Sequence, residues 1–205
     1  EFFFFNLRFC EYSYSVLIKF VRNRFMKLTQ ESGNQDQGKD YKTIEQTMEK
    51  LPDGARRLAA QLTTTASFDS LWEVLTDYDR LNLFIPNLLT SKILYENNNN
   101  VHLKQIGSQD FLGIKFSAEV ILDLYEEKDN GLINFRLIKG DFRRFEGSWK
   151  IKGINDSKKN SLFYDLTVKG CQWMPIGMIE KRLKRDLSEN LIAVDKQAKN
   201  FKIDN

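Results

Sequence analysis

Few residues of this sequence are of types that do chemistry, and they are widely spaced. His102 is the only histidine, and it follows the turn-forming run Asn97–Asn100 with no cysteine or acid at metal-ligand spacing. We interpret His102 as a surface residue of a strand. Cys171 has no histidine near it in sequence to activate a thiolate, so a small buried side chain is favoured. The sequence contains no phosphate-binding loop, dinucleotide fingerprint or Gly-x-Ser-x-Gly elbow.

An arginine pair beside an aromatic residue is the first candidate for binding a charged group. Arg143 has the strand parity of Phe145 and Trp149, so we expect it to point inward or to lie at a rim. Its guanidinium fork matches a phosphate group or a buried carboxylate. Arg144 has the opposite parity and is expected in solvent. Arg143 is therefore a candidate polar contact for a ligand.

A second basic cluster lies after Pro175 and is mixed with acidic residues. It consists of Lys181, Arg182, Lys184 and Arg185. Such a cluster is able to contact an anionic membrane or RNA. We favour a simpler interpretation, in which these residues form the solvated face of an amphipathic helix.

Composition limits the classes of protein to which the chain can belong. It has 205 residues, of which 41% are hydrophobic and 29% charged, so a packed core is expected. Its 31 Lys+Arg against 28 Asp+Glu give a net charge of +3, too small and too evenly spread for a DNA-binding protein. Two cysteines and one histidine exclude a disulfide scaffold and most metal sites. No cofactor is expected.

Residues 1–25 are anomalous. The chain begins with Glu1 rather than Met, and an apolar block precedes the basic residues, the reverse of a secretory signal. No stretch reaches the ~20 apolar residues that a membrane span needs. Three interpretations stay open: an over-extended gene model whose true start is Met26, a remnant of a longer targeting sequence, or an amphipathic helix lying on a membrane.

Residues 26–54 are polar and predict a linker. Its second part carries Ile44, Met48 and Leu51 at a spacing that favours a short helix, which ends at Pro52. The domain proper is expected to span residues 55–202.

Within that domain the periodicity of apolar residues predicts an α+β fold. A strand from Arg56 to Ala66 precedes two short helices, the second of which ends before Pro86. After Pro175 the apolar residues recur every three or four positions, which predicts a helix of about 22–25 residues. Between them six strands are predicted at Leu88–Glu96, Val101–Ser108, Ile114–Tyr125, Leu132–Ile138, Phe142–Lys152 and Ser161–Trp173.

One-sided alternation in consecutive strands is typical of an antiparallel sheet with one face covered. Only the C-terminal helix is long enough to cover that face. We therefore predict a helix-grip fold, in which a curved antiparallel sheet of about seven strands wraps around a long C-terminal helix. The two short helices follow the first strand.

Motifs at three places between Arg56 and Phe201 carry a resemblance to a known family. They are Asp77-Tyr78-x-x-Leu81-x-x-Phe84-Ile85-Pro86 followed by Ser91, then Phe145-Glu146-Gly147-Ser148-Trp149-Lys150-Ile151, and then the amphipathic helix after Trp173. In this order they resemble the START-like superfamily, also called the birch-pollen-allergen or polyketide-cyclase superfamily. Within it the chain is most similar to the coenzyme-Q-binding and cyclase/dehydrase branch of bacteria and plastids.

The resemblance implies a deep apolar cavity between helix and sheet that holds a quinone, an isoprenoid or another lipid. Most members of the branch bind a ligand and do no chemistry on it, so a carrier is expected rather than an enzyme. The expected apolar wall consists of Phe84, Ile85, Pro86, Phe116, Phe145, Trp149, Trp173 and Met178, with Tyr78 and Arg143 as polar contacts. Taken singly, Phe116, Phe145 and Trp149 fit ordinary sheet core as well or better.

Two other functions stay open. An aromatase/cyclase or dehydratase acting on a polyketide-like substrate needs positioned acids or bases in the cavity, whereas the inward strand positions are almost wholly apolar. Some relatives in the branch act on ribosomes, and here only Lys181–Arg185 offers a basic surface for that. We expect a cytoplasmic protein, with peripheral membrane contact as an alternative.

Overall fold

The computed structural model describes residues 44–111, 114–154, 158–171 and 176–201, with side chains omitted at 109–111, 114–116 and 176–179. Eight strands form one curved, open antiparallel sheet in the spatial order β1-β2-β8-β7-β6-β5-β4-β3. The strands are β1 Ile44–Lys50, β2 Arg56–Thr64, β3 Leu88–Asn97, β4 Asn100–Phe111, β5 Ile114–Glu127, β6 Leu132–Gly140, β7 Phe142–Gly153 and β8 Asn160–Gly170.

Helices occupy the two places where the sequence predicts them. Helix α1 spans Phe68–Thr76, a 3-10 helix spans Tyr78–Leu83, and the long helix α2 spans Ile176–Asn200. A 3-10 turn at Lys128–Asn130 joins β5 to β6. The predicted helix-grip fold is confirmed. None of the described helices is long and apolar enough to cross a bilayer.

The short helix predicted from Ile44 to Leu51 is wrong, because this segment forms strand β1. It pairs antiparallel with β2 along its whole length. Ile44 and Met48 are four residues apart, a spacing that places two side chains on one face of a helix or of a strand alike. Gly54, with a φ of +85°, then turns the chain back into β2. The sheet therefore has eight strands rather than about seven.

The core lies between one face of the sheet, called here the inner face, and the helices. Ser67 begins α1 by accepting the N–H of Ser70 on its Oγ at 3.0 Å. Helix α2 approaches β1, β2, β8 and α1 most closely. Its buried apolar stripe, which recurs every three or four residues, consists of Leu187, Leu191, Val194 and Ala198.

An ion pair fixes the beginning of α2 to the sheet. The buried Arg56 of β2 donates from Nε to Oε1 of Glu180 at 2.5 Å, and from Nη1 to the carbonyl of Gly54 at 2.7 Å. Because the guanidinium is taken out of water, losing either partner would leave an uncompensated charge. The contact holds the N-terminal part of α2 over one side of the sheet.

Candidate functional site

The inner face of the sheet is sealed at one end and incompletely covered at the other. Helix α1 packs over the sealed end, where Phe68 reaches the turn at Gly131. The inner-face residues there are all buried: Val101, Leu124, Ile133, Ile151 and Leu162. Further along the same face, Gln105, Leu137 and Phe145 of β4, β6 and β7 are only half-buried, whereas Val120 of β5 and Val168 of β8 are buried. The incompletely covered part, called here the open end, is the candidate site.

Five aromatic side chains form a continuous wall on the inner face of β6, β7 and β8. Neighbouring rings lie 4.0 to 6.2 Å apart between centroids, and the stacked pair Trp149–Tyr164 is the closest. In order of contact the wall consists of Trp149, Tyr164, Phe135, Phe145 and Phe142. Phe142 and Phe145 are half-buried at the open end, and Trp149, opposite the buried Ile133, is half-buried as well. The wall therefore presents apolar surface from the open end towards the middle of the inner face.

The predicted mouth segment lies beside the start of β3. Phe84 and Ile85 are half-buried and pack against the core, whereas Pro86 is exposed. The carbonyl of Asn87 accepts the N–H of Ser108 at 2.8 Å, which ties the segment to β4. The arrangement brings Phe84 and Ile85 near the incompletely covered part of the inner face.

Three predicted wall residues cannot be placed. Trp173 lies outside the described residues, and the side chains of Phe116 and Met178 are likewise not described. Their role in the wall stays a prediction. Phe145 and Trp149, by contrast, belong to one set of contacting rings.

Of the two positions expected for Arg143, the inward one is wrong, since its side chain is exposed, whereas a position at the rim stays a prediction. A β-bulge between Phe142 and Arg144 shifts the register against β8. Such an extra residue breaks the alternation on which the parity argument rests. Phe142 consequently packs against Phe145 at 5.3 Å between ring centroids and takes the inner position. Arg144, expected in solvent, is half-buried and paired with Glu146.

Tyr78 is buried, and its hydroxyl donates to Oε1 of Glu126 at 2.7 Å. Glu126 continues the inner-face alternation of Leu122 and Leu124 to the edge of the core. Burial raises the pKa of Tyr78, and the neighbouring Glu126 raises it further. Burial also raises the pKa of Glu126, while the hydrogen bond from Tyr78 opposes that rise. A ligand contact by Tyr78 would therefore have to compete with Glu126.

Replacing Tyr78 with phenylalanine should lower the free energy of unfolding by about 1 kcal/mol at pH 7. The native pKa of Glu126 is raised, so its contribution to stability is complete below its unfolded value near 4.5 and is lost as the pH rises. Without the Tyr78 hydroxyl the pKa of Glu126 rises further, so the variant loses more stability than wild type as the pH rises. The defect should consequently be greater at pH 7 than at pH 4 in urea unfolding. Equal defects at both pH values, or a similar defect in the exposed-residue control Tyr95→Phe, would contradict the assignment.

A polar pair on the inner face was not predicted from the sequence. Gln105 donates from Nε2 to Oγ of Ser91 at 3.4 Å, and Ser91 is buried. Continuing the alternation of the buried Val101 and Leu103 would have placed Gln105 inward. Because Gln105 is half-buried, it adds hydrogen-bonding capacity to a mostly apolar face.

The basic cluster of α2 is divided by the fold. Lys181 and Arg185 are exposed, as expected for a solvated helix face. Arg182 is half-buried instead, and its Nε and the Oδ1 of Asp186 are sealed from solvent. The two residues lie one helical turn apart on a flank of the apolar stripe, so the fold covers them. Two of the four basic side chains, Lys181 and Arg185, therefore remain exposed, and a contact with the ribosome stays an untested alternative.

His102 and Cys171 lie far apart in the sequence and have separate described contacts. His102 lies on β4 with Nε2 at 3.7 Å from Oδ1 of Asp123, and its ring contacts Tyr95. Cys171 is half-buried, and its Sγ lies 3.2 Å from the backbone carbonyl of Asp141. Across the described ranges no three His, Cys, Asp or Glu side chains are grouped to hold a metal ion.

Comparisons with known proteins agree with the helix-grip fold described above. The family model described as polyketide cyclase/dehydrase and lipid transport matches residues 64–195. A search of curated proteins gives no significant match.

Several solved structures share the fold. Zhui aromatase/cyclase from Streptomyces sp. R1128 is 18% identical, with a TM-score of 0.62 over 71% of this chain and 94% of its own. A STAR-related lipid transfer protein from Xanthomonas axonopodis is 14% identical, with a TM-score of 0.62 over 79% of this chain and 97% of its own. Human StAR-related lipid transfer protein 5 is 9% identical, with a TM-score of 0.58 over 93% and 99%.

Proposed function

Because the chain belongs to the polyketide cyclase/dehydrase and lipid transport family, we propose that it binds a hydrophobic small molecule between the inner face of the sheet and α2 and carries it unchanged. The family includes ligand carriers as well as cyclases, and both uses require an apolar molecule to be held. The finer assignment to carriage rests on the mostly apolar inner face, which offers few acids or bases for converting a ligand.

The observation that carries the proposal is the difference in burial along the inner face. Leu103 and Leu137 lie on the same row across β4, β5 and β6, yet Leu103 is fully buried and Leu137 is half-buried. A closely packed core would bury both. Covering about 300 Å² of apolar ligand surface at the open end would contribute roughly 7 kcal/mol before the costs of association.

The aromatic wall favours a ligand with a flat ring, such as a quinone, over a purely flexible chain. Stacked and tilted aromatic contacts add to the stabilisation from buried area alone. Of the residues predicted from the sequence, those we propose as ligand contacts are Phe84, Ile85, Pro86, Phe145 and Trp149. The structure adds Phe135, Leu137 and Phe142 to this set. An isoprenoid tail would extend towards the mouth segment.

Trp149 should report on a bound quinone. A quinone stacked on the wall should quench Trp149 fluorescence with saturation at one equivalent. Trp149→Phe should lose most of this change, whereas Trp72→Phe should keep it, because Trp72 is buried in α1. Fluorescence titration with menadione checks this. An unchanged signal in wild type, or equal quenching in both variants, would contradict binding at the wall.

We propose a lipid surface as the source or acceptor of the ligand. Leu83 is 70% and Leu89 59% exposed, and Pro86 between them is exposed as well. Leu89 lies at a β-bulge, which turns its side chain away from the regular alternation. Lys92 is an exposed basic residue beside this apolar projection, whereas Arg80 is paired with Asp77, and the acidic Asp79 and Glu96 lie at its two ends. The exposed apolar side chains are therefore what supports contact with a bilayer.

Leu83→Asp together with Leu89→Asp should weaken binding to vesicles of 30% anionic lipid by about tenfold or more, since two exposed leucines that would enter the bilayer are replaced by charges. The matched control is Ile138→Asp, a similarly exposed residue of β6 that lies away from the mouth. Cosedimentation with vesicles measures the effect. Equal losses in both variants would contradict a specific contact at the mouth.

Conversion of the ligand is the second candidate function. It is favoured by the polar pair Ser91–Gln105 on the inner face and by the structural similarity to an aromatase/cyclase. Incubation with a linear polyketide-like chain, followed by mass spectrometry, tests for loss of water. Turnover that disappears in Gln105→Leu would replace carriage by catalysis as the function.

A further inference from the structure

Tyr164 is a buried phenol near the middle of the inner face, and its ring is held on two sides. It pairs across the sheet with Ala60 of β2 and Trp149 of β7. The Trp149 ring stacks on it at 4.0 Å and 6°, and the Phe135 ring lies at 6.2 Å. The residue is only 8% exposed. These contacts fix the direction of the side chain.

The hydroxyl of Tyr164 forms no hydrogen bond with any residue in the described part of the chain. Its oxygen keeps a small contact with solvent, since it is not among the fully sealed side-chain atoms that lack a partner. Burial raises the pKa of Tyr164 well above its usual range, which keeps the phenol neutral and able to donate. Buried polar groups are nearly always hydrogen-bonded, so an acceptor from outside the chain is expected.

The neighbours of Tyr164 indicate which part of a ligand carries that acceptor. The aromatic wall continues from Tyr164 through Phe135 to the half-buried Phe145 and Phe142. Flat side chains of this kind contact a flat ring well. An oxygen attached to such a ring would lie next to the phenol, whereas an oxygen at the end of a flexible chain would not be held there.

We propose that the Tyr164 hydroxyl donates a hydrogen bond to a carbonyl or other acceptor oxygen on the ring of the bound molecule. This inference rests on the proposed function, because it assumes that a ligand occupies the open end. It assigns the ligand to the class of oxygenated planar rings, such as quinones and cyclic ketones. Tyr164 selects against the corresponding hydrocarbon and moves no proton.

A matched pair of probes tests the inference. Menadione and 2-methylnaphthalene share a fused ring and a methyl group, and only menadione carries carbonyl oxygens. Wild type should bind menadione more tightly. Tyr164→Phe should weaken menadione binding about three- to tenfold, the size of one hydrogen bond, and leave 2-methylnaphthalene unchanged. Tyr125→Phe, at an exposed tyrosine on the same sheet, should change neither affinity.

Two further measurements follow the hydroxyl itself. The carbonyl stretch of carbon-13-labelled menadione should shift to lower frequency on binding to wild type, and this shift should disappear in Tyr164→Phe. The ligand-free variant should not melt below wild type, because it loses no internal hydrogen bond, unlike Tyr78→Phe.

Each outcome decides between the two proposals. If wild type binds both probes and Tyr164→Phe changes neither affinity nor infrared shift, the Tyr164 inference is overturned and the proposed function stands. If wild type binds neither probe, both fail. A ligand-free Tyr164→Phe protein that melts as far below wild type as Tyr78→Phe would also overturn the inference, because the hydroxyl would then have a partner within the protein.

Discussion

Alanine in place of Gly147 should lower the free energy of unfolding by about 3 kcal/mol, as expected for overpacking of a close contact. An added Cβ would overlap the backbone carbonyl oxygen of Asp165 and would lie 2.8 Å from the Phe135 ring. A backbone atom cannot move aside as a side-chain end can, so β7 and β8 would have to separate. The same change would displace Phe135 within the aromatic wall.

Gly153→Ala is the matched control for this substitution. It lies on the same strand, and its added Cβ would meet nothing closer than a side-chain atom of Asn160 at 3.9 Å. Its stability should change by about 0.5 kcal/mol or less. Urea unfolding of the two variants and wild type measures both effects. Similar stabilities for the two variants would show that the glycine of the Gly-x-Trp motif is not required by packing.

Tryptophan in place of Leu137 should weaken ligand binding by about tenfold or more. The larger side chain would occupy space at the open end, and excluding about 60 Å² of buried ligand surface removes roughly 1.5 kcal/mol. The protein should nevertheless fold, because Leu137 is half-buried and has room beside it. Menadione titration gives the affinity, and thermal unfolding gives the stability. Unchanged affinity in a folded variant would place the ligand elsewhere.

Truncating two leucines on the same row, Leu103 and Leu137, gives a second check on the difference in burial. Leu103→Ala should lower the free energy of unfolding by about 2–5 kcal/mol, because Leu103 is fully buried. Leu137→Ala should cost less than half as much, since part of its surface already lies outside the packed core. Comparable costs would mean that both ends are filled to the same density, contrary to the burial difference.

The sequence predicts most of the fold because the strand alternation is regular where one face is buried. In β5, Val120, Leu122 and Leu124 are all buried as predicted. Strand β1 was mistaken for a helix because two apolar residues at a spacing of four fit either element. Strand β1 lies at the edge of the sheet, and only Ile44 and Met48 among its residues are partly buried. Its sequence therefore lacks the regular alternation of apolar and polar residues that marks the inner strands.

The site was less predictable, because it depends on departures from regular geometry and on tertiary partners. The bulge after Phe142 reversed the orientation expected for Arg143, and nothing in local composition reveals it. Tyr78 was expected to contact a ligand, which stays a prediction, and its hydrogen-bond partner Glu126 is 48 residues away in sequence. The inner position of Tyr164 follows from alternation, whereas the lack of a hydrogen-bond partner for its hydroxyl is visible only in three dimensions.

The most direct test of ligand carriage is the native mass spectrum of the full chain purified from its own source without detergent. We predict a species heavier than the protein by the mass of one small hydrophobic molecule, which organic extraction releases and which Leu137→Trp fails to retain. A spectrum with only the mass of the polypeptide, from protein that also takes up no menadione after purification, would contradict the account.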